Sequence, residues 1–504
     1  MIRVVTDYLD QTAEKYPDKI AFEDERRSLS FSKLQSEAFH IATILIDQGY
    51  RRQPILIYLQ KSVEVVSAFL GVAYSGNFYS PIDTNMPKER VDKILGKLQP
   101  VAIITDETHK EEAELIIKDG AVIVYEDAMN SLIKENLIRK TVESIIDTDV
   151  LYVLFTSGST GVPKGGIISH KAIIDFTEWA AEDLNFSEYS IMGNQCPFYF
   201  SMSIYDIFET LKCGCTTYII PQNLFSQPTR LMEYLDKRKV NTLIWVPSIL
   251  MIISTLKALN RPHLSHLTNL FFGAEVFQTK HLNRWMAEYP DVRFVNIYGP
   301  TEITDTCIYY DVKKRFNDNE MLPIGIPCKN KDCFLLDEDN KLIEKTGEIG
   351  EICVRGTGLA YGYYNDPEKT AEAFVQNPLN TAYKELIYRT GDLARFNNDG
   401  DLVYVCRKDF QIKHKGHRIE LGEIEATASA VEGIDDVCCL YDNEKLRIVL
   451  FYTGSVEEKE IVEKLANAIP GYMVPGKRVH LDTMPKNINS KTDRQKLKEM
   501  INKI

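Results

Sequence analysis

Residues 151–170 read LYVLFTSGSTGVPKGGIISH. Residues 151–155 form an unbroken apolar run of strand length. The run passes directly into Thr156, Ser157, Gly158, Ser159, Thr160 and Gly161, then Val162, Pro163, Lys164 and Gly165. Glycines let the backbone turn sharply and aim successive N–H groups into one concavity. The hydroxyls add donors, and Lys164 adds a point positive charge. A buried strand feeding such a loop suits a polyphosphate. The spacing is not that of the Walker loop, GxxxxGK[ST]. Counted from Gly158, Pro163 stands where that pattern has glycine, and Gly165 stands where Ser or Thr would meet Mg²⁺. Taken alone, the stretch also reads as a polar surface turn.

Further motifs follow in order. Residues 76–83 read GNFYSPID and residues 296–302 read NIYGPTE. Residues 347–352, GEIGEI, precede GLAYGY at 358–363. YRTGDL lies at 388–393, KHKGHRIE at 413–420 and NSKTDR at 489–494. Together with the loop at 156–164, this series resembles the adenylate-forming superfamily: acyl-CoA synthetases, firefly luciferase and the adenylation domains of nonribosomal peptide synthetases. It is most similar in pattern to stand-alone adenylation domains and D-alanine–carrier-protein ligases. The resemblance spans almost the whole chain.

Composition agrees. A chain of 504 residues is too long for one core and should form two to four compact units. Hydrophobic content of 44% and charged content of 26% are those of a globular protein. The net charge of −13 argues against nonspecific nucleic-acid binding. The first residues carry no signal-peptide pattern, and no apolar run approaches the roughly 20 residues of a membrane span. A cytoplasmic enzyme is expected. Its ten cysteines show no paired CxxC spacing, and buried reduced thiols are expected, including Cys213, Cys215, Cys438 and Cys439.

Strand and helix signals alternate. Residues 63–73 read helical and 77–82 extended. Apolar runs at 101–105 and 121–125 flank a helix-like segment at 111–118. Such alternation predicts βαβ units with mostly parallel sheets. Residues 347–355 and 386–404 are richer in strands, with a hairpin turn at Asn397-Asn398-Asp399-Gly400. A charged break at Arg407-Lys408-Asp409 marks a boundary. Beyond it, residues 421–431 read as a helix, 435–440 and 446–452 as strands, and Ser455 with Glu458 as a capping box. The tail from Lys491 reads as a charged helix. The expected fold is α/β: a large domain, 1–408, of mostly parallel sheets with a small barrel-like β part, then a small mobile α+β domain, 409–504.

The resemblance implies a chemistry. Attack of a carboxylate on the α-phosphate of ATP gives an acyl-AMP and pyrophosphate, and the enzyme's task is positioning and charge stabilisation. The 156–164 loop is implied to hold the β- and γ-phosphates. Glu302 is implied to ligate Mg²⁺, Thr301 to contact the α-phosphate, and Tyr298 to stack on adenine beside Asn296 and Gly299. Asp392 is implied to accept the ribose hydroxyls, with Arg407 in support, while Gly273, Ala274 and Glu275 pass close under adenine. Lys491 is implied to approach the substrate carboxylate and bridging oxygen. Asp409 is the implied hinge, and Gly416 lies on the segment implied to line a pantetheine tunnel. In isolation Asp392 also reads as a turn carboxylate and Glu302 as a helix N-terminal charge.

The acceptor implied for the second half-reaction is a phosphopantetheine thiol. The GHRIE sequence and the absence of a fused carrier motif favour an acyl or peptidyl carrier protein in trans, with free coenzyme A as the alternative. Substrate choice rests on residues 198–206, FYFSMSIYD, aligned with FDxSVxE/D patterns. Most α-amino-acid domains put Asp where this chain has Ser201, and that Asp pairs with the α-ammonium. Burying an ammonium without a counter-charge costs several kcal/mol. An ordinary α-amino acid, D-alanine included, is therefore disfavoured, and an aryl acid or β-amino acid is favoured. Asp305 is positioned to receive a displaced amine or a phenol, or else is simply a capped carboxylate beside the pocket. Phe200, Met202, Tyr205, Ile244, Phe271, Gly273, Ile297 and Thr306 complete the expected wall.

Overall fold

The computed structural model describes residues 2–118, 120–158, 161–486 and 492–501. Its backbone divides into two units. One gathers Met1–Thr84, Leu98–Leu154 and Gly165–Lys408, and the other gathers Asn85–Lys97, Phe155–Lys164 and Asp409–Ile504.

In the first unit, short apolar runs become parallel strands, as their continuous hydrophobicity requires when both faces are covered. Ile20–Glu23, Thr216–Ile219, Ile191–Asn194, Thr242–Trp245, Asn269–Gly273 and Arg293–Tyr298 lie side by side in parallel. Antiparallel strands extend both edges: Ser28–Ser30 at one, Ile308–Asp311 and Ile326–Pro327 at the other. A second sheet orders Ala121–Val124, Ala102–Thr105, Pro54–Tyr58, Phe78–Pro81, Val150–Thr156 and Lys164–Ser169. Every residue of Pro54–Tyr58 is buried. The helix Val63–Tyr74 is buried at every position but Glu64. A helix apolar all round belongs in a core, and Glu64 turns outward to meet Arg27 at 2.9 Å.

The third sheet is antiparallel, with order Leu342–Ile343, Lys331–Leu336, Gly350–Gly356, Leu386–Phe396 and Phe374–Gln376. Leu402–Arg407 also pairs with Leu386–Phe396. The turn between those two is the expected hairpin. Asn397 N–H donates to Asp401 O at 2.9 Å, and Asn397 Oδ1 accepts from the N–H groups of Asp399 and Asp401.

In the second unit, Gln411–His414 and His417–Glu420 form a hairpin. Lys415 and Gly416 turn it, both at positive φ (52° and 80°), which is the twist a two-residue hairpin loop demands. Ile434–Asp442, Arg447–Gly454 and Lys477–His480 make a three-stranded sheet. The helices are Leu421–Ser429, Glu458–Ala468 and Arg494–Ile501. The helix Arg494–Ile501 is anchored, because Leu497 and Ile501 bury against Cys438, Val449 and Phe451. Arg90 Nη1 and Glu423 Oε1 form an ion pair with both side chains at or below 5% exposure.

Two expectations are corrected. Ser455 does not cap a helix: its N–H donates to Gly433 O, and the helix opens later behind Glu457, with no side-chain cap bond. The backbone bond holds Ser455 too far upstream to reach the first turn. Nor are all cysteines buried. Cys213 is only partly covered, at the end of the short helix Thr210–Cys213, and Cys406 is exposed on the strand Leu402–Arg407.

Candidate active site

The strand Arg293–Tyr298 ends at Gly299, and the chain then makes one 3-10 turn, Thr301–Ile303. Thr304 and Asp305 follow at φ 58° and 65°. Two consecutive non-glycine residues in the left-handed region are costly, of order 1–3 kcal/mol each, and such strain collects at functional sites. The loop closes so tightly that a Cβ at Gly299 would lie 2.0 Å from Asp305 O. Only glycine fits. The segment 358–363 braces the turn. Ala360 N–H donates to Glu302 O at 2.8 Å, and Thr304 Oγ1 donates to Gly358 O at 2.8 Å.

Glu302 is 1% exposed, and Tyr363 OH donates to its Oε1 at 2.7 Å. Among the described residues, no group of three or more His, Cys, Asp or Glu side chains is arranged to hold a metal. A single buried carboxylate fits a Mg²⁺ that keeps most of its shell as water and phosphate oxygen.

Tyr298 and Asp392 are both buried. Tyr298 OH donates to Asp392 Oδ2 at 2.6 Å, and Arg407 Nη1 donates to Asp392 Oδ1 at 3.0 Å. Asp392 and Arg407 are direct cross-strand partners, so sheet register alone places the guanidinium on the carboxylate. Arg407 also donates to Thr390 O at 2.8 Å. Burial and the Asp392 charge push the Tyr298 phenol well above its usual range, which keeps it a donor. Asn296 Nδ2 donates to Pro323 O at 2.8 Å. Glu275 Oε2 accepts from Ser248 N–H at the start of the helix Pro247–Thr255. Ala274 stands at φ 66°, next to Gly273, where a Cβ would meet Ile297 O at 2.5 Å.

The acid-pocket residues form one hydrogen-bonded chain. Thr301 Oγ1 donates to Ser201 Oγ at 3.2 Å, and Ser201 Oγ donates to Asp305 Oδ1 at 2.8 Å. On the other side, Tyr205 OH donates to Thr306 Oγ1 at 2.9 Å, and Thr306 Oγ1 donates to Asp305 Oδ2 at 3.1 Å. Asp305 is 8% exposed. Met202, Tyr205, Ile244, Phe271 and Ile297 are buried, and Phe200 is half-buried. Tyr205 packs edge-on against Phe176, and Phe271 against Phe186.

The phosphate-loop candidates belong to the second unit. Thr156 Oγ1 donates to Lys164 O at 3.4 Å, Ser157 Oγ donates to Arg418 O at 2.6 Å, and Lys164 Nζ lies 3.8 Å from Glu420 Oε1. Gly158 O accepts from Gly161 N–H, and Gly161 O accepts from Lys93 Nζ at 3.1 Å. Ser159, Thr160 and Lys491 lie outside the described residues. Asp409, the hinge candidate, is exposed and accepts the N–H of Gln411.

Three residues at these positions carried no assigned role in the sequence. Tyr363 sat inside a recognised motif, which was the available signal. Lys331 is buried and donates to Thr306 O behind the pocket wall. Lys61 donates to Asn194 O and Gln195 O, while Asn194 Nδ2 donates to Asp206 Oδ2 at 2.7 Å, so both ends of the 195–206 loop are pinned. Burial pushes Lys61 down to about 8 and Asp206 up to about 7. A lone lysine in the sequence gives no hint of this.

The family described as AMP-binding enzyme matches residues 9–364. Tyrocidine synthase 1 of Brevibacillus parabrevis is 31% identical over 97% of this chain, but the match covers 44% of its own length. The L-proline–[L-prolyl-carrier protein] ligase of Streptomyces coelicolor (strain ATCC BAA-471 / A3(2) / M145) is 32% identical over 93% of this chain and 91% of its own. This chain thus spans less than half of the first relative and nearly all of the second. Among solved structures, the holo form of an NRPS protein containing adenylation and PCP domains superposes with a TM-score of 0.85 at 23% identity. That match covers 98% of this chain and 84% of the other.

Proposed function

We propose that this chain, which belongs to the AMP-binding enzyme family, activates a carboxylic acid with ATP and passes it to a phosphopantetheine thiol. The first product is an acyl-AMP, with pyrophosphate released. The reading rests on the buried Tyr298–Asp392–Arg407 set, a carboxylate held in one orientation by a phenol and a guanidinium. A carboxylate so fixed suits the paired hydroxyls of a ribose.

The roles follow from charge. Attack by the acid's oxygen on the α-phosphorus forms a P–O bond and breaks the bond to the departing pyrophosphate. Thr301 donates to the α-phosphate oxygens, the loop through Lys164 takes the outer phosphates, and Lys491 balances charge between the acid and the bridging oxygen. Mg²⁺ on Glu302 supplies charge neutralisation to the phosphates when bound. Residues 1–408 serve as the adenylation domain and 409–504 as the smaller domain that turns about Asp409 for thiol transfer. The acceptor is a carrier protein in trans, in keeping with a stand-alone carrier-protein ligase as a near full-length relative. The setting is the cytoplasm.

The acid lacks an α-ammonium at the Ser201 position and is an aryl acid or a β-amino acid. Support comes from Asp305, whose carboxylate sits beside Ser201 instead of a second acid. The test is pyrophosphate exchange across α-amino, β-amino, aryl and short aliphatic acids. Thioester formation is then compared between phosphopantetheinylated carriers and coenzyme A. Release of phosphate in place of pyrophosphate would overturn the chemistry. An unmodified α-amino acid as best substrate would overturn the pocket reading. Preference for coenzyme A would replace the carrier as acceptor.

A further inference from the structure

Away from these residues, the first unit carries a cleft of about 530 Å³. Its lining includes Glu178, Trp179, Glu182, Lys212, Cys213 and Lys329. Cys213 is the last residue of the helix Thr210–Cys213. Gly214 follows at φ 74°, and Cys215 stands just before the strand Thr216–Ile219. The left-handed glycine folds the chain back between the two cysteines. A side chain at Gly214 would meet the Tyr16 ring at 2.8 Å, so the turn is fixed. Cys213 is partly exposed in the cleft and Cys215 is buried.

Glu209, Ser187, Lys212 and Glu178 lie around the pair. Cys213 Sγ lies 3.8 Å from Glu209 Oε2. Cys215 Sγ donates to Ser187 O at 3.3 Å and to Glu209 O at 3.4 Å. The Lys212 ammonium pairs with Glu178. The Cys215 thiol, by side-chain hydrogen bonding, and the Lys212 ammonium hold Cys213 below the ordinary thiol range, against the opposing effect of burial. Burial pushes Cys215 well above that range. Glu209 is fully buried, and burial raises its carboxyl well above the usual carboxylate range, which favours its protonated form. A thiolate-forming cysteine facing a cleft, a buried thiol two residues away and an acid beside both is the arrangement of an oxidisable dithiol.

We propose that Cys213 and Cys215 are a peroxide-sensitive pair that closes to an intrachain disulfide. The Cys213 thiolate attacks one oxygen of hydrogen peroxide, an S–O bond forms and the O–O bond breaks. The departing hydroxide takes the Glu209 proton and leaves as water. Cys215 then gives its proton to Glu209, and its sulfur attacks Cys213 Sγ. An S–S bond forms, the S–O bond breaks, and that hydroxide takes the proton back as a second water. Two sulfurs are oxidised by one electron each, and one peroxide is reduced to two waters.

The exposed Cys406 is the internal comparator. Trypsin separates the two sites: residues 213–230 carry Cys213 and Cys215, and residues 396–407 carry Cys406. The folded protein is treated with limiting peroxide, the remaining thiols are blocked, and both peptides are followed by mass spectrometry. The 213–230 peptide should lose two hydrogens, regain them with a thiol reductant, and react at least about fivefold faster than Cys406, as expected of a cleft-facing thiol with a second cysteine two residues away. Cys215→Ser should trap a sulfenic acid on Cys213 that a dimedone probe captures, and Cys213→Ser should abolish the reaction in that peptide. Oxidation confined to Cys406, or Cys213 passing to sulfinic acid without forming the disulfide in the wild-type chain, would overturn the proposal.

Discussion

Ser201 Oγ donates to Asp305 Oδ1 at 2.8 Å, so the two residues that depart from the usual amino-acid pocket touch each other. The serine cannot neutralise an ammonium, and the aspartate one hydrogen bond away can. On the proposed reading the two departures are one change, with the counter-charge at residue 305 in place of residue 201. Thr306 holds the other carboxylate oxygen of Asp305, against the strain of the left-handed backbone at Thr304 and Asp305.

Ser201→Asp would set two carboxylates at hydrogen-bonding distance in a buried site. Like charges so close cannot both ionise, and one proton is taken up. Acid-dependent pyrophosphate exchange with the native substrate should fall about a hundredfold, the scale of losing an oriented contact in a dry site. Asp305→Asn keeps the shape and removes the charge. With an amine-bearing substrate the affinity should drop by about 2–5 kcal/mol, the range for breaking a buried charged pair. An unchanged KM for the best β-amino acid in the Asp305→Asn variant would rule out the displaced counter-charge.

The ribose set is tested separately. Asp392→Asn leaves Tyr298 and Arg407 in place but removes the charge they serve. The loss of charged hydrogen bonds, about 1.5–3 kcal/mol, is roughly ten- to a hundredfold in KM for ATP. KM for the acid should hardly move. Isothermal titration with ATP in the absence of acid is the direct measurement, and equal affinity in the two proteins would remove Asp392 from nucleotide binding.

Sequence reading went far where chemistry and backbone geometry coincide. Strands at 78–81, 102–105, 121–124 and 150–156 were legible as short apolar runs, and the hairpin at 397–400 as a turn demanding Asn and Gly. It failed where a residue's role depends on what folds against it. The Lys61 bonds to the 194–195 carbonyls join segments more than a hundred residues apart, and no local period announces them. Ser455 looked like a cap because Glu458 follows at the right spacing, yet a backbone bond to Gly433 had claimed it. Cys213 read as a core residue in an apolar run, but the helix ends there and turns it toward a cleft.

On the proposed reading, Lys491 and Asp409 divide the two half-reactions. Lys491→Ala should slow adenylate formation roughly 10²–10³-fold, as expected for removal of a preorganised charge. It should spare thioester formation from supplied acyl-adenylate. Asp409→Pro should do the reverse, because proline fixes φ at the pivot and deletes a donor. Single-turnover assays of each half-reaction decide this. Equal losses in both half-reactions for either variant would sink the division of labour.

Arg90 and Glu423 should matter for stability. Both side chains are nearly inaccessible, so removing one partner leaves the other charge buried alone. Arg90→Met should cost about 3–5 kcal/mol in chemical denaturation. The double variant Arg90→Met, Glu423→Leu should recover most of it, since an apolar pair of similar volume carries no desolvation penalty. A double variant as unstable as the single one would show that packing, not charge, sets the loss.

His170 gives the fold an acid limit. It is 1% exposed, its Nδ1 accepts the N–H of Val5 at 3.3 Å, and burial lowers it from 6.5 to about 4. The folded chain therefore holds a neutral imidazole over a range in which the unfolded chain binds a proton. The sign follows: the contribution is complete above pH 6.5 and is lost as the pH falls toward 4. Its size is about 3 kcal/mol at full loss. Protonation would also turn the Nδ1 acceptor into a second donor facing Val5 N–H. Melting temperature should drop between pH 7.5 and pH 5 in the native chain, and less in His170→Gln, whose amide oxygen accepts the same N–H without titrating. His281 and His414 are also lowered to about 4 by burial and act in the same direction. Identical pH dependence in the native chain and in His170→Gln would show that His170 does not set the limit.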